Sequence, residues 1–133
     1  MQYSTTLRNA RLDLVESHIG TGARLRVYSG SAPANPAASA TGTLLADVTL
    51  PSDWLAAASS GTKAKSGTWT KASADGTGTA GYFRILDSGA AACHIQGSVS
   101  VTAGGGDMQF DSLSFTAGQA FTVTAFTLTG GNA

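Results

Sequence analysis

Five aspartates, Asp47, Asp53, Asp87, Asp107 and Asp111, are the residues best suited to acid–base chemistry. Glycoside hydrolysis needs two carboxyls held at a set separation across a cleft. No part of the sequence locates such a cleft. Asp107 follows three glycines and Asp87 precedes Ser-Gly, which are turn positions. These carboxylates therefore read as turn and strand-end groups. A metal site would have to draw on His18, Cys93 and His94. Cys93 and His94 are adjacent, so on a strand they point to opposite faces. His18 is expected far away on a helix, and Cys93 reads as a small buried hydrophobe. Serines are plentiful, but no G-x-S-x-G elbow is present. "TAGGGDMQ" lacks the lysine of a phosphate loop and opens no helix. The residues imply no cofactor and no metal.

Trp54 and Trp69 bracket a long central segment, with Lys63, Lys65 and Lys71 nearby. Aromatics beside lysines can bind sugars or single-stranded nucleic acid. They also anchor protein interfaces, or simply fill a core. Among functional roles, a partner contact through Trp54 and Trp69 is the favoured expectation. Charged residues make up 12% of the 133-residue chain, with eight cations and eight anions. An ordinary domain carries about 25%. So neutral a chain lacks the basic face that phosphate neutralisation requires, and nucleic acid is not an expected partner. Net charge near zero favours association.

The elements that must position these residues begin with a helix over about 5–19. Leu7, Ala10, Leu14 and Ile19 recur near helical spacing, with Leu12 and Val15 widening the apolar arc. Ser4, Thr5 or Thr6 can cap its start, and Gly20 and Gly22 its end. From residue 23 the period becomes two. "ARLRVYSG" is a half-buried strand, followed by the loop "SAPANPAASATG". "TLLADVTLP" places Leu44, Ala46, Val48 and Leu50 on one face and Leu45, Asp47 and Thr49 on the other. "SDWLAAA" predicts one helical turn capped by Ser52 or Asp53, and "GTWTKAS" a short edge strand. The remainder of the central segment reads as exposed, glycine-rich connection.

Three clearer strands follow, in "GYFRILD", "CHIQGSVSVT" and "DMQFDSLSFTAG". In the last, the parity of apolar residues changes between Phe110 and Leu113, predicting a bulge or kink at Asp111 or Ser112. The final strand, "FTVTAFTLT", slips at Ala125 and Phe126. An extra residue there would bring Phe121, Val123, Phe126 and Leu128 to one face. One helix and about six to eight short strands suggest a single domain, 1–133. The expected fold is mainly β: an antiparallel β-sandwich of jelly-roll or Greek-key type over about 23–129, with one N-terminal α-helix. No apolar run approaches the roughly 20 residues of a membrane span. The N-terminus shows no apolar signal region, so synthesis in a cytoplasm is expected, and no membrane partner.

"LRNARLDLVESHIGTGARLRVYSGSAPAN", "GTLLADVTLPSDW", "GTAGYFRILD" and "GGGDMQFDSLSFTAGQAFTVTAFTLTGGN" together resemble a family of small tailed-bacteriophage virion proteins. The most specific parts are "LRNARLD" and the run from "DMQFDS" to "FTLT". Some members resemble capsid cement, or decoration, proteins with jelly-roll folds. The resemblance implies a non-enzymatic virion protein, assembled in the bacterial host cytoplasm and bound on the capsid surface between major capsid protein subunits. It carries over no catalytic residue. A homodimer or homotrimer is the expected self-association. The alternatives are a neck, tail or fibre-base position and, from another class, a carbohydrate-binding module or small hydrolase built on an exposed tryptophan.

Overall fold

The computed structural model describes residues 1–131. Helix α1 runs Thr5–Ile19. The Ser4 hydroxyl accepts the Leu7 N–H at 3.2 Å, and Gly20, at φ +85°, ends the helix with its N–H on the Glu16 carbonyl. Nine strands follow: β1 Arg24–Ser29, β2 Leu44–Thr49, β3 Thr62–Ala64, β4 Thr70–Lys71, β5 Gly78–Leu86, β6 Cys93–Val101, β7 Met108–Phe110, β8 Ser114–Phe115 and β9 Phe121–Thr129. Their order is β2-β1-β5-β6-β7-β9-β3, with β4 also on β9 and β8 on β5. The fold is a β-sandwich with one N-terminal helix. Its strand path doubles over, so that Phe83 of β5 meets Phe126 of β9 edge to face at 5.6 Å.

The pairing is antiparallel except between β6 and β7, which run parallel. Parallel neighbours ordinarily need a crossover of a dozen or more residues. Here residues 102–107 suffice, because the chain doubles back tightly on β6. A Cβ on Gly106 would lie 2.7 Å from the Ser100 nitrogen, and one on Gly104 2.8 Å from the Ser100 Cβ. Only glycine permits that approach.

Two sequence irregularities locate real departures from regular pairing, one a bulge and one a kink. Gln109 opposes Ala125 while Phe110 opposes Val123, so Thr124 is the extra residue. That insertion buries Phe121, Val123 and Phe126 together. Leu128 is half-buried and packs against the same core. Between Phe110 and Phe115 the chain kinks at Asp111, whose carboxylate accepts the N–H groups of Ser112 and Thr122. Another bulge was not visible in the sequence. Val27 opposes Ala46 and Tyr28 opposes Leu44. Leu45 is therefore the extra residue on β2, and it is buried along with Ala46.

The "SDWLAAA" segment contains no helical turn. Its backbone is extended instead: Leu55 bridges Lys65, and Trp54 and Leu55 are both buried. The reason is competition for its N–H groups: those of Leu55 and Ala58 go to α1 side chains and that of Ala56 to the Ala64 carbonyl.

Candidate functional site

Helix α1 turns its polar residues toward its own chain. Asn9, Asp13 and Glu16 lie close together on one helix face, at spacings of four and three. Each accepts one N–H from the 55–61 loop: Glu16 from Leu55 at 3.0 Å, Asp13 from Ala58 at 3.0 Å and Asn9 from Gly61 at 2.9 Å. Arg8 donates to the Gly130 carbonyl at 2.8 Å, tying the helix to the end of β9. Lys63, 3% exposed, reaches across to Asp13 at 2.8 Å and Glu16 at 3.1 Å. Burial alone would lower the Lys63 pKa, but the hydrogen bonds its ammonium donates to the two carboxylates hold it above its ordinary value. The Lys63 ammonium, followed by the Ala58 N–H, holds the Asp13 carboxyl below its ordinary range.

That docking leaves apolar side chains outside. Leu14 is 63% exposed and Leu7 47%. They stand two turns apart on one face, with exposed Ala10 between them. Beside them, between α1 and the strands β6 and β9, runs a groove of about 430 Å³. Val15, Ile95 and Leu128 line it, and Arg11, His18 and His94 bring its cationic and imidazole groups. Among the described residues, none of its lining is a carboxylate. Tyr3 stacks on Arg11 at 5.0 Å.

The opposite face of β1 and β5 is sealed. Arg26 and Arg84 are directly paired across the two strands, an arrangement that like charges oppose. Asp47 neutralises Arg26 at 2.9 Å and Arg24 at 2.8 Å. Arg84, 4% exposed, gives its N–H groups to the Pro36 and Ala38 carbonyls and the Cys93 sulfur. Tyr82 stacks on Tyr28, and its hydroxyl donates to the Thr41 carbonyl while accepting the Thr41 N–H. Gln96 donates to the Pro33 carbonyl at 2.8 Å, while its buried Oε1 has no partner among the described residues. The 31–42 loop is thus latched onto the sheet.

The residues first considered for chemistry are mostly occupied in holding the fold. Asp47 serves the two arginines. Asp87 takes the Ala91 N–H at its turn. Asp107 accepts from the Ser98 hydroxyl and N–H, which hold its carboxyl below the ordinary range. Asp53 is exposed. No group of three or more His, Cys, Asp or Glu converges as a metal site among the described residues.

Three expectations need correction. Trp54 and Trp69 do not form a contact surface: they are 0% and 1% exposed, 6.0 Å apart, with Trp69 against Phe126 at 5.4 Å. Their indole N–H groups donate to the Gly20 and Ser66 carbonyls. Large apolar rings flanking a loop were drawn into the core beneath it. His18 is not remote from the strands either. It meets His94 edge to face, with ring centroids 5.2 Å apart. Cys93 is half-buried, not fully enclosed.

The residues missed by sequence reading are Arg84 and the Asn9–Asp13–Glu16 acceptors. The only available signal was the acceptors' common helix face. A scan against protein-family models, a search of curated proteins and a search of solved structures found no match to this chain.

Proposed function

We propose that the protein is a non-enzymatic structural component of a bacteriophage virion, a decoration (cement) protein covering seams between major capsid protein subunits. The observation that carries this reading is the outward apolar face of α1. Leu7 and Leu14 stay exposed while the polar side of the same helix is used for internal docking. An exposed apolar stripe on a chain of low charge is a surface to be covered. Covering hydroxyls and small residues costs far less than desolvating lysine or glutamate. The "LRNARLD" segment of the phage resemblance lies within this helix. The leucine stripe serves self-association as a dimer or trimer, and many symmetric copies on a shell would add modest contacts through avidity.

The test is add-back of purified protein to heads stripped of it. Heads should gain thermal stability, and the free protein should sediment as a dimer or trimer that Leu7→Ser with Leu14→Ser converts to a monomer. Unchanged head stability would overturn the cementing role. Tens of copies per particle, in place of hundreds, would move the protein to the neck, tail or fibre base.

A further inference from the structure

The sheet has a gap. β7 separates β6 from β9, pairing with Val99–Val101 on one side and with Val123–Phe126 on the other. Before Met108, however, the chain has come from the glycine fold-back on Ser100. Among the described residues, the first half of β6 and the last residues of β9 therefore have no strand between them. At the level of β7 those strands stand two strand spacings apart, about 10 Å.

Backbone groups face into this gap. On β6 the Ser98 N–H points away from β5, onto the Asp107 carboxylate at 2.8 Å. Two residues earlier, Gln96 points its N–H and C=O the same way. On β9, the Lys65 N–H on the Phe126 carbonyl and the Gly130 N–H on the Gly61 carbonyl turn the even-numbered residues toward β3. Thr129 accordingly faces the gap. Among the described residues, nothing bonds the gap-facing groups of Gln96 or Thr129. The groove of about 430 Å³ beside Ile95 and Leu128 lies along this gap.

We propose that this slot takes one extended strand of a partner polypeptide, in line with β7, hydrogen-bonded to Gln96 on β6 and Thr129 on β9. The guest alternates apolar side chains onto Val15, Ile95 and Leu128, and carries a carboxylate toward Arg11, His18 and His94. An open ladder fixes the partner's conformation, because only an extended backbone satisfies both edges at once. The groove's Arg11 guanidinium, beside the imidazoles of His18 and His94, fixes its charge. Resting on the proposed function, the donor of this strand is the major capsid protein.

The experiment uses stripped heads and three proteins: wild type, Thr129→Pro and Arg11→Glu. Thr129→Pro deletes an N–H that points into the slot and leaves the β3 ladder its bonds. Arg11→Glu reverses the charge of the groove and leaves the backbone untouched. Both should bind heads at least ten-fold more weakly than wild type. Bound wild type should show hydrogen exchange at Gln96 and Thr129 slowed at least ten-fold relative to free protein. Wild type that binds heads with these amides still exchanging at the free rate, and with both variants binding equally well, overturns the slot and leaves the decoration role standing. Wild type that does not bind heads overturns the decoration role and this donor with it.

Discussion

Two loops of small residues, 31–42 and 55–61, are held by opposite chemistry. The first offers carbonyls, and the sheet supplies donors: Arg84, Gln96 and Tyr82. The second offers N–H groups, and the helix supplies acceptors: Asn9, Asp13 and Glu16. The donor latch concentrates two carbonyls and a thiol on one buried guanidinium. The acceptor latch is spread over three side chains, two of them carboxylates. A loop that composition marks as loose can be fixed by either means. The two means differ in how they fail.

Removing the centre of the donor latch should have the largest effect. Arg84→Met leaves the Pro36 and Ala38 carbonyls without their partner and should cost about 3 kcal/mol. Urea unfolding would measure the loss, and protease cleavage within 31–42 would report the released loop. A variant as stable as wild type, with an intact loop, would remove the distinction between the latches. Removing one member of the acceptor latch should cost less. Asn9→Ala deletes a single neutral bond, worth about 1 kcal/mol, and the 55–61 loop should stay docked on the other two acceptors.

The smallest effect is that of acid. Asp13 has its pKa depressed in the folded protein by Lys63 and the Ala58 N–H. A depressed carboxyl contributes stability that is present above its unfolded value and is lost as pH falls through the folded one. Below about pH 4, the ordinary aspartate range, the 55–61 loop should exchange its amide hydrogens faster, while the loop under Arg84 keeps its protection. Equal loosening of both loops would show that the latches do not differ in charge.

The boundaries of α1 and the strand alternation were legible because they depend on local signals: Ser4, Gly20 and the period of apolar residues. The displaced parity of the final strand marked its bulge to within two residues, with Thr124 as the insertion. Orientation was not legible. The apolar arc of Leu7 and Leu14 set no direction, and the chain docks the helix through Asn9, Asp13 and Glu16, whose partners lie 39 to 52 residues away, and through Arg8, whose partner is Gly130. The same distance hides the failure of "SDWLAAA" to form a helical turn. Its alanines favour a helix, but the N–H groups of Leu55, Ala56 and Ala58 are already taken by Glu16, the Ala64 carbonyl and Asp13. Tryptophan beside lysine suggested a binding surface, yet Trp69 sits under Lys65 with its ring shielded. The slot between β6 and β9 needed the order of the strands, which no local pattern contains.

Cys93 carries a practical consequence. Its sulfur accepts from Arg84 at 3.1 Å and donates to the Ile95 carbonyl at 3.3 Å, so the lone thiol is wired into the clasp on 31–42. A maleimide dye attached there would push the guanidinium aside, and the labelled molecule would report on a protein with that clasp undone. Fluorescence work on assembly needs its cysteine introduced elsewhere, with Cys93 replaced by a residue small enough to leave Arg84 in place.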